Sequence, residues 1–228
     1  MSLLLPGQCY LCADVLSAKD LSRCLCDACI ADLPLSLPSC IYCAELIPST
    51  QQACHVKVLE SSAVDYFISQ YHYQNPVSFL IKQLKYNNGL LLAHFFGESL
   101  GKHVLTINQP LPEILIAIPL HPKRLRVRGY NQALEIAKVV ARGLNIPLVT
   151  SVLVRSRYTV SQTECSMGER QTNLSNSFAV SGALTYTSVA LIDDVLTTGA
   201  TLREAGKALK AAGVKHVYGW CCAQSGNS

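Results

Sequence analysis

Asp193 and Asp194 stand side by side after the apolar run Val189 to Ile192 and before Thr197, Thr198, Gly199, Ala200 and Thr201. Two adjacent carboxylates repel a phosphate. They can instead accept hydrogen bonds from the vicinal hydroxyls of a ribose, or hold a magnesium ion through water. The small-residue turn that follows has the complementary chemistry. Its backbone N–H groups, its threonine hydroxyls and the positive end of a following helix suit a phosphate monoester. A site with both halves is a site for a phosphorylated ribose.

A second cluster is cationic. Lys123, Arg124, Arg126 and Arg128 fall within six residues of KRLRVRGYNQ. That density costs self-repulsion unless an anion neutralises it, so the stretch reads as a loop for a polyphosphate or a nucleic-acid backbone. Tyr71, Tyr73, Tyr86 and Tyr130, with Lys82, Lys85 and Arg128, could add base stacking and further cations for a single strand.

A third set is metal-binding. Cys9-x-x-Cys12 and Cys26-x-x-Cys29 are two knuckles separated by thirteen residues. This is close to the spacing of a zinc ribbon, in which four thiolates make a tetrahedral site. A second site is incomplete. Cys40, Cys43 and Cys54 lack a fourth cysteine, Lys57 standing where one would fall. His55 or Cys24 could complete it, and it could equally be empty. One structural zinc is therefore expected, with the second in doubt.

These residues need elements to position them. Val189 to Ile192 reads as a buried strand, and Leu202, Ala205, Ala208 and Leu209 recur at helical spacing after it. Glu113 to Leu120, EILIAIPL, is a continuous apolar run of the kind buried on both faces of a parallel sheet. The basic stretch follows it directly. Ligands of open α/β sheets lie beyond the carboxyl ends of strands, which places the cations and the acids on one edge. Val64 to Tyr73 suits a strand, Val77 to about Asn87 and Leu90 to Leu105 suit helices, and Tyr130 to Leu144 is an amphipathic helix. Pro147 to Leu153 and Val214 to Cys222 suit further strands. Alternating helices and strands imply a doubly wound sheet. Between two strands, 155–178 is polar and aperiodic, as in functional loops that move. Arg155, Arg157 and Arg170 could reach an anion from it. Cys165 reads as a free thiol there, and Cys221 and Cys222 as strand packing.

The chain has 228 residues, half of them hydrophobic, with a formal net charge of +4. That is enough for one large domain with an appendage, and too modest a charge to argue for nucleic acid by itself. The expected division is a cysteine-rich head over 1–60 and an α/β domain over 61–228, with a hood segment at 61–110. Eight of the eleven cysteines precede residue 55. They come as knuckles behind no export signal, and no run is long enough to span a membrane, so a reducing cytoplasm is expected.

IDDVLTTGATL resembles the loop by which type I phosphoribosyltransferases bind phosphoribosyl pyrophosphate (PRPP). The wider combination is similar to the ComF/GntX family of competence proteins. It comprises the cysteine head running into LCDACIADLPLSLP, then PLHPKRLRVRGYNQA, then SQTECSMGERQTN with Gln162, Arg170 and Asn173. This resemblance covers almost the whole chain. It implies a type I phosphoribosyltransferase-like fold, an open and mostly parallel sheet with helices on both faces, carrying an N-terminal zinc ribbon. It implies that Asp193 and Asp194 contact the ribose of PRPP or a related ligand, with Mg²⁺, and that Thr197, Thr198, Gly199, Ala200 and Thr201 wrap the 5′-phosphate. Lys123, Arg124, Arg126 and Arg128 would face the pyrophosphate, and Arg157, Gln162 and Arg170 would belong to the flexible loop. It further implies a role in natural transformation on incoming single-stranded DNA, alongside other competence or recombination proteins. Transfer of phosphoribose to an acceptor is the alternative use of the same pocket.

Overall fold

A strand such as Val189 to Ile192, with no polar side chain on either face, must be covered on both. The computed structural model describes residues 7–18, 20–36, 40, 63–86, 89–107, 109–155 and 177–225, and in it this run lies in the centre of a sheet. Six strands are present among these residues: β1 (Tyr66–His72), β2 (Ile114–Ala117), β3 (Leu153–Arg155), β4 (Phe178–Val180), β5 (Ser188–Leu196) and β6 (His216–Gln224). The main sheet has the order β1-β6-β5-β2, and every pairing in it is parallel. A single parallel bridge from Leu115 to Leu148 extends it past β2.

Successive residues of β5 point to opposite faces. Ala190 and Ile192 enter a core with Tyr218 and Trp220, covered by α2 (Val77–Tyr86), α3 (Leu90–Thr106) and α5 (Gln132–Leu144). Val189 and Leu191 enter a second core with Phe67, Val217 and Cys221, covered by Leu202, Ala205 and Leu209 of α6 (Ala200–Ala211). The antiparallel pair β3–β4 adds Leu153 and Phe178 to that second core. The result is a sheet between two helical layers, as the alternation of elements predicts.

The head meets the free edge of β1. The backbone N–H of Ser36 donates to the Gln70 carbonyl and that of His72 to the Pro34 carbonyl, each at 2.9 Å. Leu35 faces Tyr71 in antiparallel register. This pairing covers an edge that would otherwise present unpaired backbone groups. Cys24, Leu25 and Leu33 are buried with Tyr71 in the first core, beside the short helix α1 (Asp27–Ala31).

Three expectations are revised. The stretch after β2 is a helix, α4 (Pro122–Arg128), and not a loop. Pro122 sits in its first turn, where a missing N–H costs nothing, and His121 Nδ1 accepts from the Lys123 N–H at 3.2 Å. Second, β5 continues through both acids to Leu196, because β6 stays in register alongside it, Asp193 opposite Cys221 and Val195 opposite Ala223. Third, the expected strand from Pro147 to Leu153 divides into the Leu148 bridge and β3. Cys43, Cys54, His55, Lys57, Arg157, Gln162, Cys165, Arg170 and Asn173 lie outside the described residues.

Helices α3 and α5 pack closely because Gly97 has no side chain. A Cβ built there would lie 2.6 Å from Val139 Cβ and 3.0 Å from the Ile136 carbonyl. Gly97→Val should therefore destabilise the protein by about 1–3 kcal/mol, since neither backbone can retreat cheaply. A lower midpoint in denaturant unfolding checks this.

Candidate functional site

Strands β2 and β5 are parallel, so their carboxyl ends share one edge. Past that edge lie α4, which follows β2, and α6, which follows β5. All of Asp193, Asp194, Thr197, Thr198, Gly199, Ala200 and Thr201 fall at the β5–α6 junction. The turn depends on Gly199, whose φ of 71° is in the left-handed region. A Cβ there would also lie 2.8 Å from Arg203 Nη1 and 3.4 Å from Phe67. Thr197 and Thr198 are exposed. The first N–H groups of α6 have no carbonyl within the helix to bond, as at every helix start. Arg203 lies over the Phe67 ring at 5.1 Å and donates to the Thr198 carbonyl, which fixes the turn from behind.

The two acids are not equivalent. Asp194 is 5% exposed and Asp193 is half-buried, with its Oδ1 accepting from the Asp194 N–H at 2.9 Å. Asp194 turns toward α2, where Lys85 Nζ is 2.5 Å from its Oδ2. Burial by itself would raise the Asp194 carboxyl, but the Lys85 ammonium prevails and holds it below the usual carboxylate value. Burial and the adjacent Asp194 charge push Asp193 well above that value. Burial would lower the Lys85 ammonium, and Asp194 instead raises it. Neighbouring acids with opposed shifts are what like charges in a shared low-dielectric site produce.

Helical periodicity divides the four cations of α4. Arg124 and Arg128, four residues apart, are half-buried, while Lys123 and Arg126 are exposed. Arg128 is close enough to lower the Asp194 carboxyl. Its guanidinium donates to Gln132 Oε1 at 2.7 Å and lies over the Tyr86 ring at 5.2 Å. Arg124 is near Arg155 of β3, a buried guanidinium 5.3 Å over the Phe178 ring. Burial and the Arg124 charge hold Arg155 below its ordinary value, and Asp193 opposes them. Burial and the charges of Lys123, Arg155 and Arg124 also lower His121. An anion entering here would meet cations from two elements.

The residues between α4 and α5 are structural ties. Tyr130 Oη donates to the Leu84 carbonyl at the end of α2. Asn131 Nδ2 donates to the Ile118 carbonyl at 2.9 Å, while its Oδ1 caps α5 by accepting from the Ala133 N–H at 3.1 Å. Of the four tyrosines considered for stacking, Tyr71 is a core residue, bonded to Ser99 and packed on Phe95 and Phe96. Tyr73 and Tyr130 are half-buried, and Tyr86 is 72% exposed. The residue that sequence reasoning misplaced is Lys85. It reads there as a surface cation, because nothing in the sequence links it to an acid more than a hundred positions later.

In the head, the thiols of Cys9, Cys12, Cys26 and Cys29 all lie within 4.8 Å of one another and could hold a zinc ion. The Cys12 and Cys26 sulfurs are 3.7 Å apart, and sulfurs around a tetrahedral zinc lie roughly 3.7 Å apart. The Cys26 N–H points at Cys9 Sγ from 3.5 Å. Burial pushes the Cys9 thiol up, but the N–H groups of Cys12, Cys26 and Leu11 prevail and bring it down to about 6. Cys24 is outside this group. Burial pushes its thiol up to about 12, as for a packed side chain. Cys40 is buried, and its expected partners Cys43 and Cys54 are outside the described residues.

A family model for the phosphoribosyl transferase domain matches residues 131–225, which span α5, β5, the acid–threonine turn and β6. The chain is 32% identical to competence protein F of Haemophilus influenzae over 88% of its own length and 90% of that protein. It is 26% identical to the DNA utilization protein YhgH of Salmonella typhi over 96% of its length and 97% of that protein. Among solved structures it is similar to adenine phosphoribosyltransferase from Leishmania tarentolae, at 16% identity and a TM-score of 0.41, covering 69% of this chain and 91% of that one.

Proposed function

The chain belongs to the competence protein F family, which has the type I phosphoribosyltransferase-like fold, and from that premise we propose that it is a DNA-handling protein of natural transformation with a working PRPP pocket. The names of its relatives, competence protein F and DNA utilization protein, support a role in competence. One observation carries the pocket: the acid pair, the Gly199 turn and the start of α6 meet at the same sheet edge as the half-buried Arg124 and Arg128. In this reading Asp193 and Asp194 accept hydrogen bonds from the ribose hydroxyls. The hydroxyls of Thr197 and Thr198 and the N–H groups of Gly199, Ala200 and Thr201 bind the 5′-phosphate. Arg124, Arg128 and Arg155 face the pyrophosphate. Bound Mg²⁺ supplies charge neutralisation at that pyrophosphate, and Asp193, half-exposed, is the carboxyl that fits facing it through water.

The outer face of α4 fits a different partner. Lys123 and Arg126 are exposed beside Val127, which is 92% exposed, and Tyr86 is 72% exposed. Exposed cations suit the backbone of single-stranded DNA, and the exposed Tyr86 ring at the end of α2, beneath Arg128, would stack on a base. We assign the inner cations to PRPP and the outer ones to the strand, acting in the cytoplasm with other competence or recombination proteins. The same pocket would also serve transfer, in which a nucleophile attacks the anomeric carbon as pyrophosphate leaves. The observation favouring this alternative is that acids at the ribose and cations at the leaving group are both in place, the two requirements of that step. The head would carry one structural zinc on Cys9, Cys12, Cys26 and Cys29, which fixes the segment that pairs with the sheet edge.

Asp193→Asn combined with Asp194→Asn should abolish PRPP binding in calorimetry while the circular dichroism spectrum stays the same. Unchanged affinity would remove the site. In a transformation assay the same variant should fail to transform, and retained transformation would reduce the pocket to a remnant. Lys123→Ala with Arg126→Ala should weaken single-stranded DNA binding and reduce the slope of log K against log salt by about 1.4, two contacts' worth. PRPP affinity should be unaffected. Elemental analysis should find about one zinc per chain from the four-thiolate spacing, and a chelator should lower the melting temperature.

A further inference from the structure

Lys85 reaches the ribose acids from α2, which supplies no group to the ribose-phosphate site in the reading above. Helix α2 buries Val77, Leu80, Ile81 and Leu84 completely, so its backbone is fixed to the core. Its last turn is held twice more, by the Tyr130 hydroxyl on the Leu84 carbonyl and by Arg128 over the Tyr86 ring. Lys85 lies between those two residues. Its ammonium is therefore delivered to Asp194 by a rigid helix end rather than by a mobile surface chain. The two side chains are 21% and 7% exposed, and their charges are 2.5 Å apart.

Each group that faces this pair matters to its charge. Asp193 of β5 adds a second carboxyl, Arg128 of α4 adds a more distant cation, and the thiols of Cys221 and Cys222 on β6 are buried beside it. Tyr73, beyond the end of β1, faces Lys85. Only Lys85 touches Asp194 with an opposite charge among the described residues. A magnesium ion takes oxygen ligands and keeps its own waters. It would be repelled at an oxygen already held by an ammonium. An ammonium brings three donors and one charge and fixes the carboxylate's orientation. Oδ2 is the Asp194 oxygen that faces the Lys85 ammonium.

We propose that Lys85 is the resident cation of the ribose subsite. It neutralises and orients Asp194, so that the acid pair takes the vicinal hydroxyls of a phosphorylated ribose without a divalent ion on Asp194. Lys85 is a positioning residue, and its role rests on the ribose-phosphate reading given above. Mg²⁺ carried by a pyrophosphate is compatible with it.

Ribose 5-phosphate is the probe, because it lacks the pyrophosphate, and inorganic phosphate measured alongside separates a magnesium effect at the 5′-phosphate from one at the acids. Calorimetry should give the wild-type protein the same affinity in EDTA as in Mg²⁺. Lys85→Met should lose about tenfold in EDTA, the effect of one charged hydrogen-bond partner, and recover part of that loss in Mg²⁺. Lys85→Arg should remain independent of Mg²⁺. Melting curves identify a variant that fails to fold, and the wild-type comparison needs no variant. Wild-type affinity that rises about tenfold with Mg²⁺, a change of about 1.4 kcal/mol, overturns the proposal. So does a folded Lys85→Met protein with wild-type affinity in EDTA. Loss of the Lys85 role with ribose 5-phosphate still bound leaves the pocket standing. No binding of ribose 5-phosphate to wild type in either buffer removes the pocket and the proposal together.

Discussion

Burial of β5 on both faces is the constraint from which the rest of the molecule follows. A strand with apolar residues at every position from Val189 to Ile192 can only sit inside a sheet covered twice. Parallel neighbours satisfy it, because their crossover helices supply the cover. Parallel order then sends the carboxyl ends of β2 and β5 to one edge, and whatever follows those strands meets there. The acids, the Gly199 turn and α4 are neighbours for this reason, although β2 and β5 are separated in the chain by some seventy residues.

The extension of β5 through Asp193 and Asp194 has an electrostatic consequence. Strand alternation sends adjacent side chains to different surroundings. Asp194 enters the layer of α2 and finds an ammonium, while Asp193 faces the layer of β3 and is only half-buried. One acid is held charged and the other is pushed toward its neutral form. Two carboxylates that look interchangeable in the sequence therefore have different chemistry. The ties made by Tyr130 and Asn131 serve the same end, since they lock α2, α4 and the end of β2 to one another around that pair.

The head is part of this arrangement and not a tethered bead. Residues 34–36 complete the edge of β1, and Cys24, Leu25 and Leu33 belong to the same core as Tyr71 and Trp220. Of the four thiols within 4.8 Å of one another, Cys9 belongs to that core and Cys26 and Cys29 pack against it. A metal there would hold in shape a segment that itself covers a sheet edge, so the stability of the head and of the sheet are coupled through β1.

The sequence by itself determined the strands and helices with strong periodicity, the knuckle spacing of Cys9, Cys12, Cys26 and Cys29, and the small-residue strand-to-helix turn of Thr197 to Thr201. Each is a local pattern, set by residues within a few positions of one another or by a knuckle that closes on itself. Tertiary structure alone decided what depends on distant parts of the chain. It made a helix of Pro122–Arg128 and so divided its cations into inner and outer pairs. It moved Tyr71 into the core and left Tyr86 at the surface. It also brought Lys85 to Asp194. Neither residue's neighbours in the chain encode that pair, because a charge is matched across space by whichever elements the sheet brings together.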